Sequence, residues 1–151
     1  MRAFSLIEVI FVIVVLSIIS YFAIGKFGNV VNLSIKTKIS SDIAMIRLSL
    51  ANAKQNLLLS NERKTIDTLD NAPINKQGEL LFGGNNNIKL LNYPIISSSQ
   101  ESAKGGDWVK ISTNKYLAFL DINSSVEFIF DNITNRFDCN NTDILCKEIS
   151  Q

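Results

Sequence analysis

Hydrophobic residues follow three different rhythms along this chain. Residues 4–24 form a nearly continuous apolar run with one acid, Glu8, close to its start. As a helix that run is about 31 Å long, against a bilayer hydrocarbon core of about 30 Å. Beyond Gly25 and Lys26 the apolar residues thin to a stripe: Val31, Ile35, Ile39, Ile43, Ile46, Leu50 and Leu57, with Ala53 in the last gap. Intervals of three and four mark one face of an amphipathic helix. Lys36, Lys38, Asp42, Arg47, Asn52 and Lys54 are expected on its other side. No proline interrupts residues 4–58, so a single helix is predicted there. Gly25 and Gly28 are its weak points, each costing about 1 kcal/mol relative to Ala.

The second half of the chain changes period. Residues 60–106 carry turn signals at Asn71-Ala72-Pro73, around Gly83-Gly84, at Tyr93-Pro94 and at Gly105-Gly106. They predict a connecting loop with one short helix or strand. From Trp108 onward, short runs rich in aromatic and β-branched residues at 108–111, 116–120 and 126–130, then 136–139, alternate with Asn-containing turns. That spacing predicts an antiparallel sheet of three or four strands. Such a sheet needs cover on its apolar face, and the helical stripe 35–57 is the available cover. The expected fold class is α+β, a long N-terminal helix packed on a small C-terminal sheet. The boundaries are residues 1–3, 4–25, 26–58, 59–107 and 108–151.

Composition narrows the chemistry. The chain has 151 residues, one domain's worth plus an appendage. Lys and Arg total 15 and Asp and Glu 14, a net charge of +1, without the basic excess of a general nucleic-acid binder. There is no histidine, which removes His-based triads, His acid–base catalysis and imidazole metal sites. No Gly-rich phosphate loop or GxSxG turn is present. An enzyme is not expected, and no cofactor is implied. Cys139 and Cys146 do not have CxxC spacing.

The opening segment admits several readings. A secretory signal peptide has a shorter apolar part than this run and no acid at its beginning. A plain transmembrane anchor explains the length but not the acid. Ser5 and Glu8 spell an S-x-x-E capping box, and an anion suits a helix start. A carboxylate within lipid also seeks a cation, which a freed amine on a neighbouring chain supplies.

Ala3-Phe4-Ser5-Leu6-Ile7-Glu8 followed at once by the apolar run resembles the N-terminal motif of type IV pilins and type II secretion pseudopilins. The resemblance covers about the first 25 residues. It implies a pilin-like fold and cleavage by prepilin peptidase between Ala3 and Phe4. It also implies N-methylation of Phe4, and Glu8 as an assembly acid that meets the N-terminus of an adjacent subunit. Ala3 departs from the Gly usual before the cut. The implied partners are prepilin peptidase, other pilin or pseudopilin subunits in a helical filament, an inner-membrane assembly platform and the inner membrane itself. The implied location is a single pass with the N-terminus cytoplasmic and the C-terminal domain periplasmic. The implied function is a structural subunit, a pseudopilin or minor pilin of a secretion or pilus-like filament. The alternative is a competence-type minor pilin that binds DNA, with Lys36, Lys38, Arg47 and Lys54 as a basic flank, although a solvated helix face accounts for the same residues.

An oxidising periplasm favours a disulfide between Cys139 and Cys146, with free thiols as the other reading. Asp138, Asn140, Thr142 and Asp143 have the alternating oxygen ligands of a calcium loop, but these are also ordinary turn residues, and turn chemistry is favoured. Asn123, Asn132 and Asn140 begin N-x-[ST] acceptors, a pattern that chance supplies readily in an Asn-rich chain.

Overall fold

A computed structural model describes residues 5–60, 64–85 and 88–150, without the side chains of 23–29. Ala3 and Phe4, the expected cleavage and methylation positions, lie outside the described residues. Helix α1 spans Leu6–Leu59. Eight strands follow: β1 (Leu80–Leu81), β2 (Gly84–Asn85), β3 (Ile88–Lys89), β4 (Ile95–Ile96), β5 (Trp108–Ser112), β6 (Lys115–Phe119), β7 (Ser125–Asp131) and β8 (Arg136–Cys139). A short helix, α2 (Ile144–Ser150), closes the sequence of elements. The architecture is α+β, with a long N-terminal helix and a small antiparallel sheet. The chain divides into two compact units, Met1–Ser34 and Ile35–Gln151.

In the first unit, α1 begins where Ser5 leaves its carbonyl to accept from the Val9 N–H at 3.3 Å and the Glu8 N–H at 3.0 Å. The side-chain bonds of a capping box do not accompany them among the described residues. Residues 6–22 are exposed on every side of the helix, from Val15 at 36% to Leu6 at 78%. Ser17 and Ser20 donate their hydroxyls to the carbonyls of Ile13 and Leu16, four residues back. This satisfies their polar atoms within the helix. The backbone stays helical through Gly25 and Gly28. Among the described residues, no helix is long and apolar enough to cross a membrane. The span expected over 4–24 starts outside the described residues, and its part described with side chains, 5–22, is shorter than the roughly 20 residues a crossing needs.

In the second unit the stripe is real but starts later than its sequence suggests. Ile39, Ile43, Ile46, Leu50 and Ala53 are buried, Ile35 and Leu57 partly so, whereas Val31 is 55% exposed. The facing surface is a four-stranded meander, ordered β5-β6-β7-β8 with every neighbour antiparallel. Strand β7 alternates strictly, with Val126, Phe128 and Phe130 inward and Glu127, Ile129 and Asp131 outward. That period-2 pattern made the sheet legible. Trp108, Tyr116, Phe128 and Phe137 complete the inner face. Phe128 and Phe137, brought close by the β7–β8 register, stack with centroids 5.2 Å apart.

Residues 60–106 are more than a connection, and no helix occurs in their described part. Strands β1–β4 form two small antiparallel pairs, β1 with β4 and β2 with β3. The segment contributes Ile66, Leu69, Leu81, Phe82, Ile88 and Leu90 to the core. Phe82 is the most constrained of these. It has φ 60°, a left-handed value uncommon for a bulky residue. It is nonetheless fully buried, with its ring 4.6 Å from Tyr116 and 5.4 Å from Trp108. Gly84, at φ +92°, sits so close to Ile88 that a Cβ would meet its carbonyl oxygen at 2.0 Å. Glycine is therefore required for this turn.

Candidate functional site

Glu8 lies on the first turn of α1 and is exposed. Val9, Val12 and Ile13 border the same shallow depression, about 300 Å³ in volume, so the carboxylate projects from an apolar surface. Among the described residues no cation pairs with it. Ser17 and Ser20 bond to carbonyls of the helix, whereas this carboxylate has no such partner among the described residues. A helix apolar all round with one unpaired acid near its start is suited to burial among apolar neighbours with a cation brought to that acid.

The other sequence-derived candidates lie in the second unit. Cys139 and Cys146 form a disulfide, with Cα atoms 5.9 Å apart. It ties β8 to α2, so the C-terminal segment expected to be a loop is partly helical. Asp143 opens α2, its Oδ1 accepting from the Leu145 N–H at 2.9 Å. Asn140 Oδ1 accepts from the Thr142 N–H and hydroxyl. Asp138 is held between Arg47 and Arg136, each 2.9 Å away. The calcium candidates Asp138, Asn140, Thr142 and Asp143 are thus engaged in local ion-pair, turn and cap roles. Among the described residues no group of acids or cysteines is placed to hold a metal ion.

The basic residues of α1 are mostly engaged within the chain. Lys36 pairs with Glu148 of α2. Lys38 bonds the Gly106 carbonyl and lies 3.3 Å from Asp42. Arg47 donates to Phe137 O at 3.0 Å, to Ser150 O at 3.1 Å and to Asp138 at 2.9 Å. Three of the four residues read as a basic flank therefore hold α1 to the sheet, α2 and the loop at Gly106. Only Lys54 has no ion-pair partner among the described residues. Asp42, expected on the polar side, is 7% exposed and accepts from Trp108 Nε1 at 3.0 Å. The polar face of α1 is in part an interface because the sheet and its loops wrap further round the helix than one stripe.

One cluster carried no motif. Asp70 is 2% exposed and accepts four hydrogen bonds. Oδ1 takes the Ala72 N–H at 3.0 Å and Lys110 Nζ at 2.7 Å. Oδ2 takes the Phe82 N–H at 3.1 Å and the Tyr116 hydroxyl at 2.9 Å. Lys110 is itself 5% exposed. Burial, followed by the charge and hydrogen bond of Asp70, pushes the Tyr116 hydroxyl far above its ordinary pKa. The cluster pins the segment before β1 to β5 and β6 and holds Phe82 in its strained backbone. The one available signal was a lysine at an inward position of β5, next to Trp108 and Val109.

No family model, curated protein or solved structure matches this chain.

Proposed function

We propose that the chain is a non-enzymatic subunit of a pilin-like filament, a pseudopilin or minor pilin, assembled through the N-terminal part of α1. The observation that carries this reading is Glu8, an exposed carboxylate with no cation beside it among the described residues, on the first part of α1, where apolar residues are exposed on all sides. In this reading prepilin peptidase cuts between Ala3 and Phe4. The new Phe4 amine, methylated, meets Glu8 of an adjacent subunit. The apolar helix waits in the inner membrane, with the disulfide-bonded unit on the periplasmic side, until an assembly platform adds it to the filament. Contacts between two different surfaces of successive subunits generate an open helix. Type II secretion and type IV pilus-like machines both use such subunits.

The test is a Glu8→Val variant expressed with prepilin peptidase and cross-linked in membranes. The expected outcome is normal cleavage with the ladder of cross-linked subunits lost. An unchanged ladder contradicts the role assigned to Glu8.

A further inference from the structure

Lys110 and Asp70 form an ion pair whose side chains are 5% and 1% exposed. Both contacts of the ammonium are with this one residue: Nζ lies 2.7 Å from Asp70 Oδ1 and 3.4 Å from Asp70 O. No other acceptor reaches it among the described residues, and the Tyr116 ring centre lies 6.0 Å away. An ion pair placed so has given up the hydration of both charges. An amide between the same two side chains fills nearly the same space and carries no charge.

The two carboxyl oxygens have different surroundings. Oδ2 accepts from the Phe82 N–H at 3.1 Å and the Tyr116 hydroxyl at 2.9 Å. Two fixed donors converging on one oxygen are what a tetrahedral oxyanion requires. Burial above all pushes the Tyr116 pKa up, so its hydroxyl stays a donor. Oδ1 is the oxygen that faces the ammonium. The backbone is held on both sides: Leu69 O accepts from the Gly84 N–H and Lys110 O from the Asn75 N–H, each at 2.8 Å. Lys110 also stands opposite Tyr116 in the β5–β6 ladder. Oδ1 is one carbon–oxygen bond from Cγ, so Nζ is within about 4 Å of the carboxyl carbon. Groups held at such range react with the high effective molarity of an intramolecular pair.

We propose that Lys110 and Asp70 join in an isopeptide bond, formed by the folded chain without a separate enzyme. One ammonium proton crosses to Oδ1, and the freed Nζ lone pair attacks Cγ. The C=O electron pair moves to Oδ2, where the Phe82 N–H and the Tyr116 hydroxyl hold the charge. A second proton passes from Nζ to Oδ1, the Cγ–Oδ1 bond breaks, and Oδ1 leaves as water while the charge on Oδ2 returns to the carbonyl. The third proton stays on the amide nitrogen. Carboxylate and ammonium become amide and water, so no oxidant, reductant or further reactant is needed. Asn71, Ala72, Gly83 and Gly84 line an open depression of about 390 Å³ next to Asp70, which gives the water a way out. The bond fastens the segment before β1 to β5, however the N-terminal part of α1 is used.

The experiment is tryptic peptide mapping by mass spectrometry of the full chain, folded in detergent, then denatured and reduced. The bond blocks cleavage after Lys110. Residues 65–76 and 105–115 are therefore expected as one branched peptide, lighter by one water than its two parts. Lys110→Arg keeps the positive charge without the amine and should release 65–76 as a separate peptide. Tyr116→Phe keeps the ring and should slow accumulation of the branched peptide in freshly synthesised chain about a hundredfold. Separate peptides 65–76 and 105–110 from the folded chain mean an ion pair only and overturn the proposal. A branched peptide that persists in Lys110→Arg, or that forms as fast in Tyr116→Phe, overturns it as well.

Discussion

Helix α1 meets two different solutions to the same problem. In the unit Ile35–Gln151 Met45, Leu48, Leu58 and Leu59 stay exposed, while one face of the helix is covered, with Ile39, Ile43, Ile46 and Leu50 at most 2% exposed. Each such side chain contributes about 1.5–3 kcal/mol by leaving water. In the unit Met1–Ser34 the described apolar residues surround the helix, and none is covered. A single packed sheet cannot satisfy a helix that is apolar all round; lipid or several helices can. The contrast separates a part of the chain whose stability is internal from a part whose apolar surface is left for something else to cover.

The sharpest way to test that contrast is to remove one side chain from each unit. Asp70→Ala leaves Lys110 buried and uncompensated and strips acceptors from Phe82, Ala72 and Tyr116. Urea denaturation of the full chain in detergent should show a loss of about 3–5 kcal/mol. Adding Lys110→Met should recover part of it. Phe11→Ala in the first unit, where Phe11 is 69% exposed, should leave the same transition unchanged. Equal effects of the two variants break the comparison.

A smaller effect is expected at the disulfide. Replacing Cys139 and Cys146 with serine should lower stability by about 2–3 kcal/mol. It should also release α2 before the sheet, seen as earlier hydrogen exchange at the Leu145 amide. Smaller still is a pH effect. The Tyr116 pKa is raised in the folded chain, so its contribution is complete below the unfolded tyrosine value near pH 10. It is lost as pH rises from there toward the folded value. The denaturation midpoint should therefore fall above about pH 10, and less steeply in Tyr116→Phe.

Period and turn chemistry made the sheet legible. Val126, Phe128 and Phe130 alternate with polar or exposed positions, and Asn-containing turns bound each strand. The disulfide was expected from the two cysteines together with the periplasmic location that the N-terminal resemblance implies. Glu8 was legible as an anomaly because charge is rare in apolar runs. Strands β1–β4 were not legible: two residues are too few to establish a period, and long-range contacts hold them in place. Lys110 and Asp70 sit far apart in sequence, so their pairing has no local signature. Helix α2 was hidden because its one turn of apolar pattern, Ile144, Leu145 and Ile149, needs the disulfide and β8 to hold it. Asp42 misled because a carboxylate on a helix reads as solvent-facing until an indole N–H arrives from the sheet.

The most direct test of the assembly account is the mass of the mature N-terminus, read from the chain isolated from membranes that contain prepilin peptidase. The account predicts a chain that begins at Phe4 and carries one methyl group on its amine. An intact Met1, or a cut after Gly25, contradicts it.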